Sequence, residues 1–208
     1  MVSIYLYVLD TLADWETGFV TAELKSGRFF RKDAERVELR TVGLSLEPVS
    51  TMGGLRVLPD CALGDIVADA SSVLILPGAD TWGEARHGAV IEKARELLSA
   101  GGTVCAICGA TVALAGAGIL DSRRHTSNGP GFLDMVAPGY KGSALYVDEP
   151  AVSDGNLITA GTTGALPWAR AIIERLDAFT PDTLKYWYSF FETGRSEDFF
   201  ALMNTVAR

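Results

Sequence analysis

Short apolar runs alternate along this chain with segments whose apolar residues recur three to four positions apart. Residues 3–9 (SIYLYVL) are continuous, rich in β-branched and aromatic side chains, and stop at Asp10, which predicts a strand buried on both faces. Residues 14–26 follow with Trp15, Phe19, Val20 and Leu24 at helical spacing and Gly27 as a closing cap. The alternation repeats, with strands over 37–43 (VELRTVG), 72–78 (SVLILPG) and 103–108 (TVCAIC) and helices over 89–101 and 109–120. Such a succession builds an α/β protein with a mostly parallel sheet and helices on both faces.

Two glycine-bearing dipeptides interrupt it. Gly53-Gly54 lies between PVSTM and LRVLP, and Asp154-Gly155 between ALYVDEPAVS and NLITA. Both favour the positive φ angles of tight hairpins, so two antiparallel excursions are predicted. Residues 156–161 (NLITAG) form a strand leading into a helix over 165–177, carried by Leu166, Ala169, Ile172, Ile173 and Leu176. With no repeat or linker in view, residues 1–180 read as one domain and 181–208 as a helical extension. That extension holds seven of the nineteen aromatic residues, Tyr186, Trp187, Tyr188, Phe190, Phe191, Phe199 and Phe200. It therefore packs on the domain, on a dimer partner, or as a lid over the cleft.

Charge and composition narrow the function. The 208 residues are 48% apolar with net charge −8, and Lys and Arg nowhere cluster on a helical face. Nucleic acid is excluded as a partner. No apolar run reaches the roughly 18 residues of a membrane span, and the first residues show neither a basic leader nor a cleavage site. The expectation is a cytoplasmic protein with no membrane association. Three cysteines and two histidines, His87 and His125, do not compose a disulfide scaffold or a metal site, so no metal or other cofactor is expected.

Ligand sites in open parallel sheets form beyond the carboxyl ends of the strands. After TVCAI comes Cys108, with Ala106 and Ala110 two residues to either side, the small neighbours that a nucleophile elbow demands. A helix starting at Gly109 would aim free N–H groups at the sulfur and favour thiolate. Read alone, Cys108 is equally a small buried hydrophobe. Cys105 and Cys108 also make a CxxC spacing, but Cys105 falls inside the strand and no second pair completes a zinc site. Cys61 reads as packing.

At the end of the first strand, Asp10 and Glu16 overhang the same edge. A protonated Glu16 would donate to the sulfur, so Glu16 and Cys108 are expected to titrate as a unit and Glu16→Ala to raise the thiol pKa. Asp14 needs only the helix dipole to explain it, and Trp15 reads as core or pocket wall. After SVLIL, the N–H groups of Gly78 and Ala79 join that of Gly109 as an anion-stabilising pocket, beside Asp80.

These residues resemble the DJ-1/PfpI family, within the class I glutamine amidotransferase-like superfamily. The likeness spans about residues 3–178 and rests on DWET after the first strand, VLPDCAL, LPGAD and AICGATVALAGAGIL. The subgroup most similar is the poorly characterised one with ADWE, AICGA and a HTxN-like segment. The resemblance implies a flavodoxin-like three-layer α/β/α sandwich, commonly a homodimer, with Glu16 facing Cys108 and an oxyanion held near Gly78 and Gly109. Two departures matter. Protease-like and amidase-like members place a histidine after the cysteine, where this chain has Gly109, and others end a following Thr-Thr-His segment with histidine, where this chain has Thr126-Ser127-Asn128. If 124–128 is a strand, His125 points away from Cys108 when Asn128 points toward it. His125, Thr126 and Asn128 join Asp10, Trp15 and Asp80 as candidate pocket residues.

The resulting expectation is a cysteine-dependent hydrolase, amidase or glyoxalase-like enzyme for a small-molecule substrate, and not a true peptidase, since no group is in view to protonate a leaving amine. The alternative is a non-enzymatic oxidative-stress sensor or chaperone-like protein in which Cys108 becomes sulfinate. A nucleotide-binding module is disfavoured, because no GxGxxG or GxxxxGK[ST] follows a strand.

Overall fold

The computed structural model describes residues 1–206. Its elements are β1 (Val2–Tyr7), α1 (Asp14–Ser26), β2 (Val37–Gly43), β3 (Val49–Ser50), β4 (Arg56–Val57), β5 (Cys61–Ala62), β6 (Ser72–Leu76), α2 (Gly88–Ser99), β7 (Thr103–Ile107), α3 (Gly109–Gly116), α4 (Phe132–Val136), β8 (Ala151–Asp154), β9 (Leu157–Ala160), α5 (Ala165–Arg175), α6 (Pro181–Thr193) and α7 (Ser196–Val206). Seven strands form one sheet in the order β5-β2-β1-β6-β7-β9-β8. All neighbours are parallel except β8 and β9. Helices flank the sheet: α1 packs beside α5, and α2 and α3 pack against β7. The result is a three-layer α/β/α sandwich. Every residue of β6 and β7 is buried, which is why these strands read as unbroken apolar runs.

Several boundaries differ from the sequence expectation. The helix expected over 109–120 ends at Gly116, and Gly118 at φ 73° turns the chain away. Residues 124–128 are not a strand; His125 makes only an isolated bridge to Tyr146. Both hairpins exist, but each uses a single residue of its dipeptide at positive φ, Gly54 at 82° and Gly155 at 60°. β3 and β4 stand apart from the main sheet. The two-residue strand β5 extends the edge beyond β2 and leaves too short a pattern to read.

The extension packs on the domain. Trp187 of α6 is fully buried, with its ring against Phe19 of α1 and Phe179. Its indole N–H donates to Glu23 Oε1 at 3.0 Å. Glu23 is itself buried and takes the Arg28 Nε–H at 2.9 Å, so its charge is paired as burial requires. No helix is long and apolar enough to cross a membrane among the described residues.

Candidate active site

β7 passes directly into α3, and the residue at the junction, Cys108, has φ 55° and ψ −121°. A side chain holds such a conformation only where its surroundings enforce it, at roughly 1–3 kcal/mol. Here its N–H donates to the Ala160 carbonyl at 3.0 Å, and its own carbonyl accepts the Thr111 N–H at 3.0 Å and the Thr111 hydroxyl at 2.6 Å. Ala106 and Ala110 are fully buried on either side of the bend. The thiol emerges half-buried at the carboxyl edge of the sheet.

Three other strand ends converge on it. Glu16, in the first turn of α1, is fully buried. Its Oε2 accepts the Gly78 N–H at 2.6 Å and its Oε1 the Thr162 hydroxyl at 3.2 Å. The Thr162 N–H donates to Asn128 Oδ1 at 2.9 Å, which turns the Asn128 amide nitrogen toward Cys108 Sγ, 3.5 Å away. The backbone of β9's exit thus decides that Asn128 is a donor to sulfur. Gly78 lies between carboxyl and thiol: a Cβ there would fall 2.6 and 2.8 Å from the Glu16 oxygens and 2.9 Å from Cys108 Cβ. Absence of a side chain at 78 is what lets the two groups meet.

Loss of water governs the electrostatics. Burial pushes the Glu16 carboxyl up, opposed by the Gly78 N–H, the Cys108 thiol and the Thr162 hydroxyl. Burial also pushes the Cys108 thiol up; the Asn128 amide opposes this and the Glu16 charge reinforces it, while Thr162 and the Gly109 N–H pull down. This reverses the expectation of an acidic thiol. The helix start is present, but desolvation outweighs it, and removing the Glu16 charge favours the thiolate. Cys105 is fully buried with its thiol pushed far up, so the CxxC spacing has no redox partner to offer.

The expected anion pocket is altered as well. The Gly78 N–H is committed to Glu16. Ala79 N lies 3.4 Å from the point where a Cβ on Gly109 would stand, and the Gly109 N–H is directed at the Cys108 sulfur. That same Cβ would meet Ala79 O at 2.8 Å and Trp82 Cδ1 at 3.2 Å. Position 109 has no room for a histidine.

The remaining candidates separate. Asn128 reaches the sulfur. Thr126 is buried; its N–H donates to Thr159 Oγ1, and it lines a depression of about 290 Å³ together with Asn128, Thr162, Asp148 and Glu149. His125 is fully buried, with Nδ1 on the Arg123 carbonyl at 2.6 Å and Nε2 on the Tyr140 hydroxyl at 2.5 Å. Both its nitrogens are engaged away from Cys108, which corrects its place in the pocket. Asp10 is tied to the Ser50 N–H at 3.0 Å and faces Arg86. Asp80 is exposed and Trp15 is 54% exposed, neither core nor wall. Cys61 is buried against the Thr41 carbonyl. Thr162 is the residue that the sequence reading missed. It stands just past NLITA, with only Gly161 between, at a strand end that the carboxyl-edge rule selects as much as the other three. Among the described residues, no group of three or more His, Cys, Asp or Glu is placed to hold a metal.

Known proteins share this arrangement of elements. A model of the DJ-1/PfpI family matches residues 2–175. The protein named uncharacterized protease YoaZ of Bacillus subtilis is 46% identical over 205 residues, 99% of this chain and 98% of that one. A glutathione-independent glyoxalase, DJR-1.2 of Caenorhabditis elegans, is 31% identical over 137 residues, 65% of this chain and 71% of its own. The crystal structure of a ThiJ/PfpI family protein from Bacillus anthracis superposes with a TM-score of 0.96 at 44% identity, covering 100% of this chain and 99% of that one.

Proposed function

Because this chain belongs to the DJ-1/PfpI family, we propose that it is a cysteine-dependent enzyme acting on small carbonyl or amide compounds, with Cys108 as nucleophile and Glu16 as its proton carrier. The observation that carries the reading is the closed arrangement of Glu16, Thr162, Asn128 and Cys108 around the bare Cα of Gly78. Burial makes Glu16 a stronger base than an exposed carboxylate, suited to take the thiol proton. The sulfur then bonds to the carbonyl carbon, the C=O pair moves to oxygen, and the Ala79 and Gly109 N–H groups receive the oxyanion. The proton held by Glu16 passes to that oxygen and gives a hemithioacetal from an aldehyde. Expulsion of an amine requires that same proton at nitrogen, with no histidine to supply a second. Aldehydes and α-oxoaldehydes are therefore favoured over peptides.

The test is turnover of a panel of α-oxoaldehydes and small amides by the wild type and by Cys108→Ser. The serine variant should lose all turnover; retained activity would remove Cys108 from the mechanism. The same surroundings support a second reading, since the Asn128 amide and a protonated Glu16 are suited to hold a sulfinate. Two equivalents of peroxide would add two oxygens at Cys108 and release two waters. Intact-mass analysis showing that gain, without turnover of any aldehyde, would favour the sensor. We extend the proposal to a cytoplasmic homodimer, with Phe199 and Phe200 of α7 exposed by 39% and 64% as an available apolar face; light scattering of Phe200→Ser against wild type checks the association.

A further inference from the structure

The carboxyl that faces the thiol is held by one hydroxyl and one backbone N–H. That N–H, of Gly78, donates to Glu16 Oε2 at 2.6 Å. It belongs to the peptide unit joining Pro77 to Gly78, which also carries the Pro77 carbonyl. A trans peptide is planar and points its C=O and N–H in opposite directions, so fixing one end aims the other. The unit lies beyond Leu76, the last residue of β6. Position 78 also has to be bare, since a Cβ there would fall 2.6 Å from a Glu16 oxygen, and glycine does little to restrict its own backbone. The condition that lets Glu16 approach therefore leaves the plane of its donor free.

Trp82 removes that freedom. Its indole N–H donates to the Pro77 carbonyl at 2.8 Å. The direction is fixed by chemistry, because an indole nitrogen only donates and a carbonyl oxygen only accepts. The ring is buried, with the rings of Tyr7 and His87 at 5.7 and 5.5 Å. The 3₁₀ turn that carries it, Asp80–Gly83, is itself tied to the chain beyond β1. The Asp80 N–H donates to the Thr11 hydroxyl at 2.9 Å, and the Thr81 hydroxyl to the Asp10 carbonyl at 2.9 Å. On the other side of Gly78, its carbonyl accepts the N–H of Ala13, the residue that precedes α1, at 2.9 Å. A continuous line of hydrogen bonds thus runs from the indole through one peptide to the carboxylate. Bonds in such a chain polarise one another, so an indole on the oxygen makes the N–H of the same amide a stronger donor.

We propose that Trp82 is a positioning residue for Glu16: its indole N–H aims and polarises the Pro77–Gly78 amide that holds the carboxylate opposite Cys108. For catalysis this rests on Glu16 being the proton carrier; the placement itself is read by titration, independently of turnover. The groups facing Glu16 are the Gly78 N–H, the Thr162 hydroxyl and the Cys108 thiol. Only the thiol among them titrates, so the carboxyl is followed in Cys108→Ser.

The full chain of that variant, with glutamate ¹³C-labelled at Cδ, reports the Glu16 carboxyl, identified by its loss in Glu16→Gln. The Gly78 N–H opposes the effect of burial on this group, so adding Trp82→Phe should move its midpoint to higher pH. Trp82→Leu, which removes the donor and more of the ring, should move it as far while losing more stability in urea. A displacement that tracks the lost packing would overturn the proposal. A second measurement uses the unsubstituted chain with ¹⁵N-tryptophan. Of its four tryptophans, Trp82 is identified by Trp82→Phe, and its indole signal should follow the Glu16 midpoint, a transition absent from Glu16→Gln. An indole signal indifferent to Glu16, or a carboxyl midpoint unmoved by Trp82→Phe, would overturn the proposal whatever happens to turnover. A moved carboxyl with carbonyl turnover unchanged would sustain the positioning and remove Glu16 from proton transfer.

Discussion

Glu16 is held where it is least comfortable as a carboxylate. Its folded pKa is raised by burial, so the stability it contributes is present below its unfolded value of about 4.5 and is lost as pH rises through the folded one. Glu16→Gln should therefore raise Tm at pH 7, with the gain disappearing toward pH 4. The same variant removes the charge that opposes the thiolate, so iodoacetamide should react faster with Cys108 at neutral pH even as carbonyl turnover falls. Gly109→His is the complementary prediction. Its Cβ would stand 2.8 Å from a backbone oxygen, and overpacking of this kind typically costs about 1–3 kcal/mol. A lowered urea midpoint and no gained amidase activity are expected. Glu16 and Cys108 were both legible, since a carboxylate after a first strand and a cysteine between two alanines are local patterns. The direction of the thiol shift was not, because burial is assembled from four segments. Thr162 and the orientation of Asn128 escaped for the same reason: each depends on where β9 ends relative to residue 128.

At the scale of elements, α6 is fastened to α1 through one indole. Trp187 fills space beside Phe19 and Phe179 and satisfies Glu23. Trp187→Ala should destabilise by about 3–5 kcal/mol, as for other buried large-to-small changes. Trp187→Phe keeps most of the packing but withdraws a donor from a buried carboxylate, for a loss of about 1–3 kcal/mol. Chemical denaturation of both variants separates packing from hydrogen bonding. A midpoint for the phenylalanine variant equal to wild type would show that Arg28 alone satisfies Glu23. The sheet was legible because strands buried on both faces leave unbroken apolar runs, as in SVLIL and TVCAI. The two-residue strands β3, β4 and β5 leave no such trace, and only Gly53-Gly54 announced that the chain turned there. The aromatic run at the end of the chain required burial without specifying the surface, which α1 and α5 provide.

For the whole molecule, titrating groups set a bounded window of stability. On the acid side, His87 is lowered by burial from its ordinary 6.5. Asp14 is lowered through Thr51 and Gly53, and Asp60 through the Thr41 N–H and hydroxyl. Groups with depressed folded values favour the native state above their unfolded pKa and lose that contribution as pH falls through the folded one. On the alkaline side, burial raises Tyr7, Cys105 and Cys108. Their contribution is complete below about 9 and declines above it, because the unfolded chain ionises first. Apart from the decline that accompanies ionisation of Glu16, Tm should therefore be nearly flat between about pH 6.5 and 9. It should begin to fall below 6.5 as the unfolded His87 takes up a proton, and steepen below about 4 as the unfolded aspartates do. Tyr7→Phe/His87→Leu isolates the first limb, since the Glu16 contribution is common to both proteins: scanning calorimetry should show the wild-type Tm falling relative to that of the variant as pH drops from 6.5 to 5. An unchanged acid limb in that variant would assign the decline to the carboxylates alone.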